Sequence, residues 1–407
     1  MHSAPRSPRQ RIRSQLQVSV AALIVAILLA AIFIARSASG QSTPGHGAPN
    51  PSAHASKNGA KGSPLQPGWR GDGKPVTLAF GGDVHFEGPL ATRLAADPAT
   101  TLDGLPALFA GADLSMTNLE SALLSGPCTD PQPKQYRFYA PPSAITALKD
   151  AHVTLVTEAN DHGEDCGRPG LAQSLAIAKA AHYPVIGIGA NAAQAFTPYR
   201  KTINGQRIAI IAATEVIDSN LMTSWTATAT QAGVASAYQE GALVAAVQAA
   251  RKDSDTVIVY LHWGTETQQC PNSVQEPLAE ALVKAGADIV VGSNTHVQLG
   301  AGYLGSALVD YGLGNLAFYD TSPPETYSGA LRVTVTGRHI DSFAWRPAVI
   351  SNGLPVLLTG SSATAAVRRW SGLRGCTRLS AAAAASAATT QSETQPFAGP
   401  SISPQAG

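Results

Sequence analysis

The chain has 407 residues, of which 44% are hydrophobic and 14% charged, and its formal net charge is +1. That apolar content supports a sizeable buried core and excludes a highly charged disordered chain. The near-neutral balance excludes a broad basic surface, so no nucleic acid partner is expected.

Arg6, Arg9, Arg11 and Arg13 precede an apolar run at 18–35 broken only by Ser19. As a helix this run covers ~27 Å, close to the hydrocarbon thickness of a bilayer. Arginines on its amino-terminal side keep residues 1–17 cytoplasmic and send everything after 35 across the membrane. The sequence therefore predicts a transmembrane signal anchor at 18–35 and an extracytoplasmic functional domain. Ser37-Ala38-Ser39 offers small residues for cleavage, and under that competing reading the domain is secreted. The apolar run exceeds the roughly 7–15 residues usual in signal peptides, which favours the anchor.

Residues 36–74 are rich in Gly, Ser, Pro, Ala and Asn without apolar periodicity, which predicts a flexible linker. A similar composition predicts a disordered tail at 378–407, leaving 75–377 as one large folded domain. Four cysteines, Cys128, Cys166, Cys270 and Cys376, predict two disulfides in an exported chain, with three connectivities open. Buried free thiols are the alternative. No two cysteines form a C-x-x-C pair, which argues against a thiolate zinc site.

Within the folded part, short β-branched runs at 76–80, 114–117, 153–157, 207–213, 256–261 and 288–291 read as buried strands. Helical patterns fall between most of them. The clearest spans 274–285, where Val274, Leu278, Ala281, Leu282 and Ala285 form one stripe and Pro277 sits in the first turn. Strands alternating with helices predict an α/β domain with a largely parallel sheet core. Segments around 306–311 and 330–336 read as antiparallel additions.

Polar residues follow five of the six strands: Asp83 and His85, then Asn118 and Glu120, then Asn160-Asp161-His162, then His262 and Glu266, then Asn294 and His296. Ligands of α/β sheets bind at the carboxyl ends of strands, so these clusters are expected to converge on one site. Carboxylate with imidazole suits a divalent ion of the zinc, manganese or iron kind. In Asp83-Val84-His85 an extended backbone places both side chains on one face. Taken singly, an aspartate after two glycines is a turn residue and a lone histidine a packed one; the joint occurrence carries the signal. Trp263 reads as wall packing rather than a sugar platform.

The ordered set resembles the bacterial capsule synthesis proteins of the CapA type, associated with poly-gamma-glutamate capsule production. It comprises Phe80-Gly81-Gly82-Asp83, Ala112-Asp113, Asn118-Leu119-Glu120, Asn160 through Gly167, Leu261-His262-Trp263-Gly264 and Leu313-Gly314-Asn315. The resemblance implies a fold similar to the calcineurin-like metallophosphoesterases, a layered α/β sandwich. It implies one or two divalent metal ions held among Asp83, His85, Glu120, Asp161, His262 and His296, with His162 handling a proton or steadying negative charge. Asn118, Asn160, Glu266 and Asn294 take supporting roles. Ser293-Asn294-Thr295-His296 departs from the family's His-His-Pro-His, losing two imidazoles.

The resulting expectation is a membrane-tethered capsule or poly-gamma-glutamate biosynthesis protein, a metal-dependent hydrolase acting on a phosphoryl or acyl centre. Its expected partners are an anionic polymer or its precursor and other capsule-assembly membrane proteins. The alternative is a non-catalytic polymer-binding or assembly component with a degenerate metal site. A third reading, an exported phosphatase unconnected with capsule, shares the same reaction centre.

Overall fold

The computed structural model describes residues 69–319 and 322–384. The expected anchor at 18–35 lies outside them, as do most of the expected linker and most of the tail. Among the described residues no helix is long and apolar enough to cross a membrane. The described backbone starts at Trp69, whose carbonyl accepts a bond from Arg338 N, and extends past residue 377 to Ser380, which bridges Tyr303.

Two sheets face one another across a shared apolar layer. In the first, the parallel strands Val76–Val84, Leu114–Leu119, Leu155–Thr157 and Val185–Ile186 lie side by side. The antiparallel strands Tyr327–Thr336, His339–Ser351 and Leu354–Leu357 extend the other flank. In the second, Gln206–Thr214, Thr256–His262, Ile289–Ser293 and Ala307–Asp310 run parallel, and Tyr199–Ile203 and Ala301–Leu304 close the two edges antiparallel. The Ala307–Asp310 segment, expected as an antiparallel addition, is a parallel strand; only its hairpin partner reverses. The segment at 330–336 is antiparallel as expected.

Because a parallel strand is covered on both faces, each of these strands is almost wholly buried. Leu78, Phe80 and Met116 from the first sheet meet Ile210, Ile258, Tyr260 and Val291 from the second in the central layer. Helices cover the outer faces. Leu90, Leu105, Ile145 and Leu148 pack on the first sheet, and Leu243, Val247, Leu278 and Leu282 on the second. The helix Gln275–Ala285 begins one residue later than the apolar stripe suggests, with Val274 at its cap and exposed. It stops at Gly286, whose φ of 117° only glycine adopts readily. Each leucine it buries contributes about 1.5–3 kcal/mol. The result is a layered α/β sandwich with a largely parallel core.

This arrangement changes the expected origin of the site. The polar clusters leave two sheets rather than one: Asp83, Glu120 and Asp161 follow strands of the first, His262 and His296 strands of the second.

Candidate metal centre

The strand Val76–Val84 delivers Asp83 to the junction between the sheets. Gly82 is needed beside it, because a Cβ there would collide with the carbonyl oxygen of Gly314. That carbonyl accepts a bond from Asp83 N at 3.1 Å, fastening the strand end to the Leu313-Gly314-Asn315 loop. Asp83 is fully buried. Its Oδ1 accepts from Asn118 Nδ2 at 2.9 Å and its Oδ2 from Asn294 N at 3.1 Å. Asn160 Nδ2 donates to Asn118 Oδ1 at 2.8 Å, and Asn160 Oδ1 accepts from His162 N at 2.9 Å. The side-chain amides of Asn118 and Asn160 thus form a scaffold that fixes the charged groups.

Two overlapping sets of donors result. Asp83, Glu120 and His296 each place one ligand-type atom within 4.8 Å of the others, and so do Glu120, Asp161 and His262. Glu120 belongs to both sets. It is 1% exposed, and its Oε2 finds no hydrogen-bond partner among the described residues. Burial, followed by repulsion from Asp83, Asp161 and Glu266, pushes its carboxyl well above the usual range. Carboxylates crowded in this way need a cation or a proton among them. Oxygen and imidazole donors without thiolate suit hard or borderline divalent ions, so the residues present fit the implied metal.

Asp161 is held differently. Burial pushes its carboxyl up, but His162, Lys134 and His262 outweigh that and hold it well below the usual range. Its Oδ1 lies 3.0 Å from His262 Nε2, and its Oδ2 lies 3.3 Å from Lys134 Nζ. Asp161 binds into the cluster as a carboxylate. His262 Nδ1 is 3.1 Å from Ser293 Oγ, so that serine steadies the imidazole.

His162 is locked by Asp165, whose Oδ2 lies 2.6 Å from Nδ1, and by Phe138 stacked on the ring at 4.1 Å. Its Nε2 then faces the donor cluster, 3.4 Å from Asp161 Oδ2 and 3.8 Å from Glu120 Oε1. His296 sits 3.6 Å from Asp83 and 3.9 Å from Glu120. Both Asn294 (φ 88°) and His296 (φ 56°) occupy the left-handed region, which non-glycine residues hold only where the surroundings demand it.

His85 does not follow the sequence-based expectation. The register shift between Asp83 and Val84 breaks the alternation that was to align Asp83 with His85. His85 instead lies against Phe138, Phe318 and Tyr319. The backbone N–H groups of Glu87 and Tyr319 lie 2.9 and 3.0 Å from its Nδ1 and Nε2, and the neutral imidazole accepts from one of them. Burial, with His162 and His296 nearby, lowers its pKa to about 3. In this arrangement it joins neither donor set. Asn294 turns its side-chain amide towards the carbonyls of Trp263 and Gly264 and supports Asp83 through its backbone. Glu266 is exposed at the rim and stands outside both sets. Trp263 is fully buried and donates to Tyr311 O at 3.0 Å, which makes it a wall residue.

Lys134 was not visible from the sequence because it sits in a Pro- and Gln-rich loop with no periodicity. Its Nζ reaches the backbone and carboxylate of Asp161 and lies 3.1 Å from Asp165 Oδ1. The disulfide Cys128–Cys166 ties that loop to the segment carrying His162 and Asp165, while Cys270–Cys376 ties the loop after His262 to the end of the folded chain. The donor cluster opens into a cavity of ≈ 420 Å³ that includes Glu120, Lys134, Asp161, His162 and His296. A larger depression of ≈ 670 Å³ lies at the opposite, amino-terminal ends of the first sheet's strands, around His152, His182 and Tyr199, away from every predicted site residue.

Residues 77–320 match the family model described as "Bacterial capsule synthesis protein PGA_cap". The chain is 30% identical over 188 residues to a capsule biosynthesis protein CapA of Bacillus anthracis, covering 46% of this chain and 45% of that one. It is 29% identical over 213 residues to a PGA biosynthesis protein CapA of Bacillus subtilis, covering 52% and 54% respectively. The chain thus spans about half the length of the curated relatives it matches. Among solved structures, it is similar to a hypothetical protein from Thermus thermophilus, with 15% identity and TM-score 0.42 over 68% of this chain and 100% of that one. A novel phosphatase from Mycoplasma pneumoniae shows 14% identity and TM-score 0.43 over 68% and 94%. The architecture rests on the strand order described above, not on these likenesses.

Proposed function

Since the chain belongs to the bacterial capsule synthesis protein family PGA_cap, we propose that it acts in capsule or poly-gamma-glutamate biosynthesis as a metal-dependent hydrolase of a phosphoryl or acyl centre. The observation that carries this reading is the pair of donor sets sharing Glu120, a buried carboxylate with one oxygen unpartnered among the described residues. Divalent ions bound there supply Lewis acidity and charge neutralisation. Asp83, Glu120 and His296 would hold one ion, and Glu120, Asp161 and His262 a second where two bind. His162, oriented by Asp165, presents Nε2 to the cleft and passes a proton to the departing group. The apolar run at 18–35 supports placing this domain outside the cytoplasm on a membrane tether. The proposed partners are an anionic polymer or its precursor and other capsule-assembly membrane proteins.

Elemental analysis of the purified full chain tests this reading. It expects bound divalent metal in the wild type and its loss in an Asp83→Ala/His262→Ala double variant; negligible metal in both removes the hydrolase. A second reading, a non-catalytic polymer-binding component, is favoured by Ser293 and Asn294, which stand where the family has imidazoles. It expects polymer binding to survive loss of the donor residues, and metal-dependent turnover abolished by the same variant counts against it.

A further inference from the structure

Resting on the reading of the cleft as a metal centre, we propose that Asn315 is a positioning residue: its side-chain oxygen holds the proton of His296 on Nδ1 and so makes Nε2 the nitrogen offered to an ion in the Asp83 set. The segment Leu313-Gly314-Asn315 bridges the two sheets one residue at a time. Leu313 N donates to Gly292 O at 2.8 Å in the second sheet, and Gly314 O accepts from Asp83 N at 3.1 Å in the first. Asn315 pairs with Asp83 in the parallel ladder. It is 3% exposed, so its amide has to be satisfied from within the protein. Its Nδ2 donates to Glu325 O at 3.4 Å, which turns Oδ1 towards His296 Nδ1 at 2.8 Å.

An amide oxygen can only accept, so the contact at 2.8 Å requires a proton on Nδ1. A neutral imidazole carries one such proton, and its lone pair is then on Nε2. Distance alone points the other way: Nδ1 is 3.6 Å from Asp83 Oδ2, whereas Nε2 is 3.9 Å from Glu120 Oε1. The hydrogen bond decides between them, because a nitrogen that donates to Asn315 has no lone pair to offer an ion. Nε2, on the side of the shared Glu120, is left as the donor. The Phe318 ring, 4.9 Å from the imidazole between centroids, packs beside it. One segment thus places Asp83 through a backbone bond and His296 through a side-chain bond, and both belong to the same donor set. The other set draws on Lys134 and Ser293 instead, so loss of Asn315 is expected to fall on the Asp83 set alone.

Long-range proton–nitrogen correlation spectra of the nitrogen-labelled full chain test this directly. Recorded without metal and above the ordinary histidine pKa, they report which ring nitrogen carries the proton, and the signal missing in His296→Gln identifies His296. Nδ1–H is expected in the wild type and in Asn315→Asp, which keeps the acceptor, with that preference lost in Asn315→Leu. Dye titration is expected to show the ion that His296→Gln removes bound about 10–100-fold more weakly in Asn315→Leu, restored in Asn315→Asp, with the other ion unaffected. The wild-type spectrum carries the first half of the test whether or not Asn315→Leu folds. Nε2–H in a metal-binding wild type, or equal impairment of both Asn315 variants, overturns the proposal and leaves the metal centre in place. A wild type with Nδ1–H that takes up no metal overturns the metal reading and this role with it.

Discussion

The two donor sets share a glutamate and differ in what surrounds their remaining carboxylate. Asp83 is fully buried and accepts its hydrogen bonds from neutral dipoles, an asparagine amide and a backbone N–H, with His296 3.6 Å away. Asp161 relies on charge, with Lys134 and two histidines around it. Dipoles fixed by the fold act at any pH, whereas a neighbouring cation depends on one side chain staying in place. The Asp83 set is therefore the preorganised one, and the Asp161 set the adjustable one.

The largest expected effect is at the shared residue. Glu120→Gln removes the negative charge shared by both sets and is expected to cost more than the roughly 10–100-fold in metal affinity typical of losing an outer-sphere partner. Titration with a metal-sensitive dye measures it; retention of both ions shows that the sets do not share Glu120. Next come His296→Ala and His262→Ala, each expected to remove one ion and leave the other. If either strips both, the two sets act as a single site. Lys134→Met follows, with an expected loss of about 10-fold in affinity confined to the Asp161 set. Because Lys134 helps hold the Asp161 carboxyl down, its removal raises that pKa, and the ion at that set is released at a higher pH than in the wild type. An unchanged release profile makes Lys134 a mere loop brace.

A separate effect concerns stability near the site. Glu158 is fully buried, and burial, offset only in part by the nearby Ser174 hydroxyl, pushes its pKa up to about 8. Raised above the unfolded value of 4.5, this group contributes stability fully at pH below that value, and the contribution is lost as pH rises through the window up to about 8. The slope inside the window is about 1.4 kcal/mol per pH unit at most. Urea unfolding of Glu158→Gln between pH 5 and 8.5 is expected to show a flatter dependence than the wild type; parallel curves indicate a carboxyl that ionises freely.

The six strand cores were legible because each is a short β-branched run buried on both faces, and the donors were legible because they follow those runs directly. Asp83, Glu120, Asp161, His262 and His296 all reach the cluster. His85 does not, because alternation holds only while the ladder register is regular, and the shift after Asp83 is a property of pairing with the Asn315–Ala317 strand, far along the chain. Lys134 lies in a loop without periodicity, where a sequence gives no sign of what a side chain will face.

Local sequence determined which segments become strands and helices, and which of them end in oxygen or nitrogen donors. Tertiary structure decided that the strands divide between two sheets, that Asp83 and His296 meet across that division, and that Asn315 turns its side-chain oxygen to His296. Strand formation follows from side chains a few residues apart, but the distance between two donors on different sheets depends on packing contacts contributed by the whole domain.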